Sequence, residues 1–234
     1  MGDSLLDPDF IASRLTVGDT WCSSHGSGQD STDLGAGILY YALAYAHRAR
    51  TCVCLGSGGG FVPRLMRQAQ RDLGLLDGRT YLVDGAGSVS APGREIWGSP
   101  MWLAEDSPFR KNYPEIELRL QLTEDAFHDF FEPNRVKIDF LHIDADHHYE
   151  GVKLDWDLYA PLVGPAGVIT LHDTVNFRPP CGVPRLVEEI RRDDRYQLID
   201  LPISFGTAIV RKHQPHDAPP SASGPGLPPL AGRR

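Results

Sequence analysis

The chain has 234 residues, enough for one domain with a substantial core. Its 41% hydrophobic and 23% charged residues are the composition of a globular protein that needs no membrane. A net charge of −8 excludes a general nucleic-acid binder, because no basic excess exists to neutralise phosphates, yet it leaves room for a small anionic ligand held locally.

The opening stretch MGDSLLDPDF has neither a basic region nor the apolar run of a signal peptide. No window approaches the roughly 20 apolar residues of a bilayer span. A cytoplasmic location without membrane contact is therefore expected. The four cysteines, Cys22, Cys52, Cys54 and Cys181, form no C-x-x-C pair and read as buried, reduced thiols, with Cys52 and Cys54 on one face of a strand. Residues 1–32 read as an N-terminal segment, 33–212 as the domain, and 213–234, rich in Pro, Gly, Ala and Ser, as a disordered tail.

Residues 33–49, DLGAGILYYALAYAHRA, give a long apolar helix with Ser31, Thr32 or Asp33 as its cap. TCVCLGSGGG (51–60) is a short strand ending in glycines, and FVPRLMRQAQRDLG (61–74) has helical spacing closed by a glycine. TYLVD (80–84) and residues 117–122 are the next strands. Between them, residues 85–114 show no clean period. They carry Trp97, Met101, Trp102 and Phe109, aromatics that favour a cap or a subunit contact. A strand over 138–144, a helix over 151–163, a strand over 167–172 and a helix over 183–194 follow. Two closing strands lie at 196–201 and 207–211. Such alternation predicts a doubly wound α/β fold, with a mostly parallel sheet of seven strands and helices on both faces.

In such sheets ligands collect beyond the carboxyl ends of the strands. Three ends carry chemistry here. In LGSGGG, Gly56, Ser57, Gly58 and Gly60 let a ligand approach the backbone and the start of the next helix, although such a turn also serves plain strand–helix packing. Asp84, closing the following strand, can accept the hydroxyls of a ribose; the competing reading is a turn at Asp84–Gly85. Glycines and acid together indicate a nucleoside cofactor without saying which.

The third end is FLHIDADHHYEG read with VITLHDT. Asp144 and Asp173 each close a strand, and adjacent strands would bring the carboxylates together, where they must share a proton or a cation. Caps for Asp144 or Asp146 and a turn for Asp173 are the alternatives. Oxygen ligands suit Mg²⁺, whereas an added imidazole tilts a site toward a transition metal. His142 reads as a core histidine. His147 is the better general base, because an imidazole accepts protons near neutrality. His148 and Glu150 read as capping or solvated.

At this point the glycine turn, Asp84, IDADHHYEGVKLDWDLYAPLVGPAG and VITLHD together resemble the class I S-adenosylmethionine-dependent methyltransferases. The nearest branch holds the metal-dependent O-methyltransferases of macrolide sugars and the cephalosporin hydroxylase-like proteins. The resemblance spans roughly residues 33–211. It implies a Rossmann-like sheet with a reversed last strand and an S-adenosyl-L-methionine cofactor near Asp144. It also implies a divalent metal held by Asp144, His172 and Asp173, with His147 as base. Mg²⁺ is the expected ion, or Mn, Fe or Zn if His172 ligates, and Asp146 is a substitute ligand.

Two departures stand out. His172 replaces the acid that often precedes the second Asp, and Cys52 and Cys54 stand where an acid often opens the glycine motif. The run SSHGSGQDS (23–31) is expected either to close over the cofactor in compensation or to be a surface loop. Glu124 and Asp125 are placed for the adenine end, or simply at a helix start. The expected activity is methylation of a hydroxyl on a small polyhydroxylated molecule, by a homo-oligomer. A cofactor-binding accessory protein, a nicotinamide-dependent dehydrogenase and a metallohydrolase are the rivals.

Overall fold

The structure, a computed structural model, describes residues 5, 7–19, 21–26, 32–85, 104–175 and 180–213. Trp97, Met101, Trp102 and the tail expected over 214–234 lie outside these residues. In chain order the helices are α1 (Pro8–Phe10), α2 (Ile38–Ala46), α3 (Phe61–Asp72), α4 (Pro108–Asn112), α5 (Thr123–Ala126), α6 (Tyr149–Tyr159) and α7 (Val183–Arg191). The strands are β1 (Thr51–Leu55), β2 (Arg79–Val83), β3 (Glu117–Arg119), β4 (Ile138–Ile143), β5 (Val163–His172), β6 (Tyr196–Leu201) and β7 (Thr207–Lys212).

The strands form one seven-stranded sheet in the order β3-β2-β1-β4-β5-β7-β6. The pairs among β1 to β5 are parallel, and β7 runs antiparallel to both β5 and β6. Strand order reverses between β1 and β4, and that reversal opens the crevice in which such sheets hold ligands.

Strand alternation divides the core in two. Val53, Leu55, Leu141, Ile143, Ile169 and Leu171 pack under α6 and α7 with Trp156, Tyr159, Leu186 and Ile190. Their neighbours Cys52, Cys54, Phe140 and Val168 face the other way, onto Tyr40 of α2 and Phe61, Leu65 and Met66 of α3. Each such fully buried apolar side chain contributes about 1.5–3 kcal/mol. The N-terminal segment belongs to this second face: Ile11, Leu15 and Cys22 are buried there, and buried Arg64 donates to the carbonyls of Leu15 and Val17, both at 2.8 Å. Phe109 is also buried in this face, so it serves the core and not an exposed cap or subunit contact.

Some element ends differ from expectation. Helix α2 starts only at Ile38, after a 3-10 turn over Gly35–Gly37, and no side chain caps it. Two glycines in that turn weaken helical preference where the cap was expected. Strand β5 starts at Val163, and residues 164–167 are absorbed where the register slips between Ile138 and Phe140. Cys181 is only half-buried, whereas the other three thiols are buried, and none of the four is in a disulfide.

Candidate active site

The glycine turn sits at the carboxyl end of β1, between the ends of β2 and β4. The Gly56 N–H donates to the Val83 carbonyl at 2.8 Å, and the Asp144 N–H donates to that of Leu55 at 2.8 Å. Gly56 has φ 71°, and a Cβ there would lie 2.2 Å from the Asp144 carbonyl oxygen. Only glycine fits, and this close approach holds Asp144 beside the turn. The Gly60 N–H donates to Ser57 Oγ at 2.9 Å, which closes the turn onto α3. Asp84 follows β2, largely buried, with its N–H on the Arg119 carbonyl at 3.0 Å. Burial first, then the charges of Asp144 and Asp84, push the Cys54 thiol well above its ordinary value.

Beyond β4 and β5, Asp144 and Asp173 face two imidazoles. His147 Nε2 lies 3.2 Å from Asp144 Oδ1 and 3.2 Å from Asp173 Oδ2. His172 Nδ1 lies 3.3 Å from Asp144 Oδ1 and 3.5 Å from Asp173 Oδ2. The parallel pairing of His142 with Thr170 and Ile143 with Leu171 sets the two strand ends level, which brings the acids together. Asp173 has φ 61°, a left-handed conformation that Asp tolerates better than most residues and that functional sites often hold.

The N-terminal segment completes this cluster. The His172 Nε2–H donates to the Ser24 carbonyl at 3.0 Å, which turns Nδ1 toward the acids. His25 Nε2 lies 2.8 Å from Asp144 Oδ2, and its ring stacks on that of His172 with centroids 4.4 Å apart. Sequence reasoning noticed His25 only as part of a polar run; a site residue 119 positions from its partner leaves no local signal.

The charges are mutually dependent. Burial would raise the Asp144 carboxyl, but the charge of His172 and hydrogen bonds from His147, His172 and His25 hold it well below the carboxylate range. Burial opposes the charged form of His172, yet the charge of Asp144 and the hydrogen bonds of Asp144 and Asp173 raise it to about 10. His147 is raised too, against burial, by its hydrogen bond to Asp144 and then by both carboxylates. Here the rings of His147 and His172 are the counter-charge of two acids, which favours the protonated form of each.

Asp144, His172 and Asp173 each offer a ligand atom within 4.8 Å of the others. The two separations from His172 within this set, 3.3 and 3.5 Å, match the spacing of about 3.3 Å between ligands on a small divalent ion with bonds near 2.0–2.1 Å. The donor set fits a metal.

The other expected residues fall as follows. His142 is fully buried, its Nδ1 2.9 Å from Thr170 Oγ1, and burial lowers it to about 3; it is a core histidine. Asp146 is not in the cluster: its Oδ1 accepts from the His148 N–H at 2.9 Å and so closes the turn into α6. His148 stands at the start of α6, and Glu150 is exposed in its first turn. Glu124 and Asp125 are exposed in the first turn of α5, after β3. Of SSHGSGQDS, residues 27–31 lie outside the described residues, and Ser23, Ser24 and His25 lie in a 3-10 turn that Gly26 ends.

A seven-stranded sheet with one reversed strand, a glycine turn after β1, an acid after β2 and a polar cluster beyond β4 and β5 define a Rossmann-like methyltransferase fold. A family model described as a methyltransferase domain matches residues 53–174, more than half of the chain. The chain belongs to this methyltransferase family and is an enzyme of that class, which sets the dehydrogenase and hydrolase readings aside. No curated protein matches it significantly.

Solved structures share the fold. One is the O-methyltransferase TomG of Streptomyces achromogenes, involved in tomaymycin synthesis and bound to S-adenosylmethionine. It is 17% identical with a TM-score of 0.56, over 92% of this chain and 100% of that one. Another is an O-methyltransferase from Bacillus cereus with S-adenosylhomocysteine, 16% identical with a TM-score of 0.55, over 88% and 96% of the two chains. A third is the methyltransferase PaMTH1 of Podospora anserina with S-adenosylhomocysteine, 14% identical with a TM-score of 0.56, over 83% and 86%. No helix among the described residues is long and apolar enough to cross a membrane.

Proposed function

We propose that the chain transfers the methyl group of S-adenosylmethionine to a hydroxyl of a small polyhydroxylated molecule, a sugar-bearing or aromatic natural product, with a divalent metal at Asp144, His172 and Asp173. The observation that carries this reading is the pair of acids and pair of imidazoles next to the glycine turn, with Gly56 packed on the backbone of Asp144. The backbone of Gly56, Ser57, Gly58 and Gly60 would support the cofactor, Asp84 its ribose, and Glu124 and Asp125 its adenine end. His172 in the donor set favours Mn, Fe or Zn over Mg.

When bound, a divalent ion makes a nearby substrate hydroxyl more acidic. The chain's own residues do the rest. The pull of the two carboxylates that raises His147 would ease where their charge is met otherwise, which would leave its Nε2 able to accept a proton. Its ring is the more accessible of the two facing the acids, at 29% side-chain exposure against 4% for His172. Nε2 of His147 takes the hydroxyl proton as the oxygen bonds to the methyl carbon and the carbon–sulfur bond breaks. The products are the methyl ether, S-adenosylhomocysteine and a protonated His147. The fold contributes mainly alignment.

Calorimetry with S-adenosylhomocysteine, followed by a methyl-transfer assay on polyhydroxylated acceptors with and without a chelator, tests both halves. Binding, and turnover lost to the chelator, are expected. Failure to bind contradicts the cofactor; turnover that survives the chelator contradicts the metal.

A further inference from the structure

The turn between β6 and β7 stands at the same sheet edge as Asp173, because β7 pairs with β5 from Thr207, opposite His172. The Val175 N–H donates to the Phe205 carbonyl at 3.0 Å, and a Cβ on Gly206 would lie 2.4 Å from Thr174 Oγ1. The Thr174 hydroxyl in turn donates to Asp200 Oδ1 at 2.6 Å. The turn and the residues that follow Asp173 are therefore packed as one unit.

Between these anchors the backbone turns Phe205 outward. Ser204 and Gly206 have left-handed φ values of 58° and 91°, and a serine in that region is uncommon. The ring they present is 42% exposed, yet it meets His172 edge-on with centroids 6.4 Å apart. Ile203 of the same turn is exposed as well. A lone apolar side chain in solvent is ordinary on any surface. This one borders the acids and imidazoles and takes no part in the proton transfer.

We propose that Phe205 determines the acceptor, by offering its open face to a ring that carries the reacting hydroxyl. This deepens the O-methyltransferase reading above and rests on it. The cluster takes the polar edge of the acceptor, and the carbon skeleton behind that edge lies against the turn. A ring, aromatic or saturated, keeps face and hydroxyl in one rigid unit and loses little freedom on packing. An open-chain polyol has no such face and is ordered bond by bond. The preferred acceptors are cyclic alcohols or phenols, not linear polyols.

The test compares ring and open-chain acceptors in the methyl-transfer assay, with Mn²⁺ present. One pair is myo-inositol and sorbitol, which carry the same number of hydroxyls. The other is catechol and ethylene glycol, both vicinal diols. The full chain, Phe205→Ser and Phe205→Tyr are compared. The unaltered chain should favour each ring by at least about tenfold in kcat/KM. Phe205→Ser should bring that ratio within about threefold, chiefly by raising KM, as loss of a binding contact does, and Phe205→Tyr should keep it. S-adenosylhomocysteine affinity, read by calorimetry, should be the same in all three proteins. Turnover without ring preference overturns the proposal, as does a preference that survives Phe205→Ser. A parallel loss of S-adenosylhomocysteine binding also overturns it, by making Phe205 a support of the fold. If S-adenosylhomocysteine binds but no acceptor is methylated, the hydroxyl-acceptor reading itself falls and takes this proposal with it.

Discussion

Replacing Asp144 by Asn keeps the side chain's shape but removes the charge on which three imidazoles converge, at 2.8 Å from His25, 3.2 Å from His147 and 3.3 Å from His172. Removing one partner of a buried ion pair costs about 3–5 kcal/mol. In a domain of this size each kcal/mol moves the melting temperature by about 2–4 °C, so without metal a fall of roughly 6–20 °C is expected. The effect should depend on pH. His172 holds its proton to about pH 10 in the folded chain, against 6.5 as its ordinary value. Stability from that raised value is complete below pH 6.5 and lost as pH rises through 10. The gap between the two proteins should therefore be widest near pH 6 and narrow toward pH 10. Thermal melts by circular dichroism, in a chelator, at intervals from pH 6 to 10 measure it. A gap below about 2 °C, or one that does not change with pH, would refute the view that these groups form one charge-coupled cluster.

Three further outcomes are expected. His147→Ala should remove turnover and leave S-adenosylhomocysteine affinity within about twofold by calorimetry, since the ring faces the acids and not the glycine turn; wild-type turnover in that variant would end the base assignment. His25→Ala should lower metal affinity about 10–100-fold while leaving one ion bound at saturation, because its hydrogen bond orients the Asp144 carboxylate; competition with a chelating dye reads this directly. Gly56→Ala combines a left-handed backbone, worth about 1–2 kcal/mol, with a Cβ 2.2 Å from the Asp144 carbonyl oxygen. Urea denaturation should show at least that loss, with S-adenosylhomocysteine binding weakened, and an unperturbed variant would mean that the turn relaxes freely.

The sheet was legible because alternation is a local property. Cys52 and Cys54 share one face and Val53 and Leu55 the other, and glycines or acids mark where β1, β2, β4 and β5 stop. Asp144 and Asp173 were legible as a pair because one helix separates two adjacent parallel strands. His147 was read as the base from its place in the turn after Asp144; its second approach, to Asp173, was not legible, because it comes from the next strand end and not from local spacing. Asp146 was a reasonable substitute ligand by spacing, yet its carboxylate is engaged by the backbone of His148. His25 was legible only as part of a polar run, because what places it is the packing of Ile11, Leu15 and Cys22 on a distant face, anchored by Arg64. The late start of α2 follows the same logic: two glycines override an otherwise favourable cap sequence.

On the proposed reading, the acids and imidazoles beyond β4 and β5 hold a metal whose binding frees the histidines of their protons. Calorimetric titration of Mn²⁺ and Zn²⁺ at pH 7, repeated in two buffers of different ionisation enthalpy, tests it most directly. One ion per chain should bind with release of at least about one proton, because His172 is protonated at that pH before the ion arrives. Absence of binding, or binding with no proton release, would contradict it.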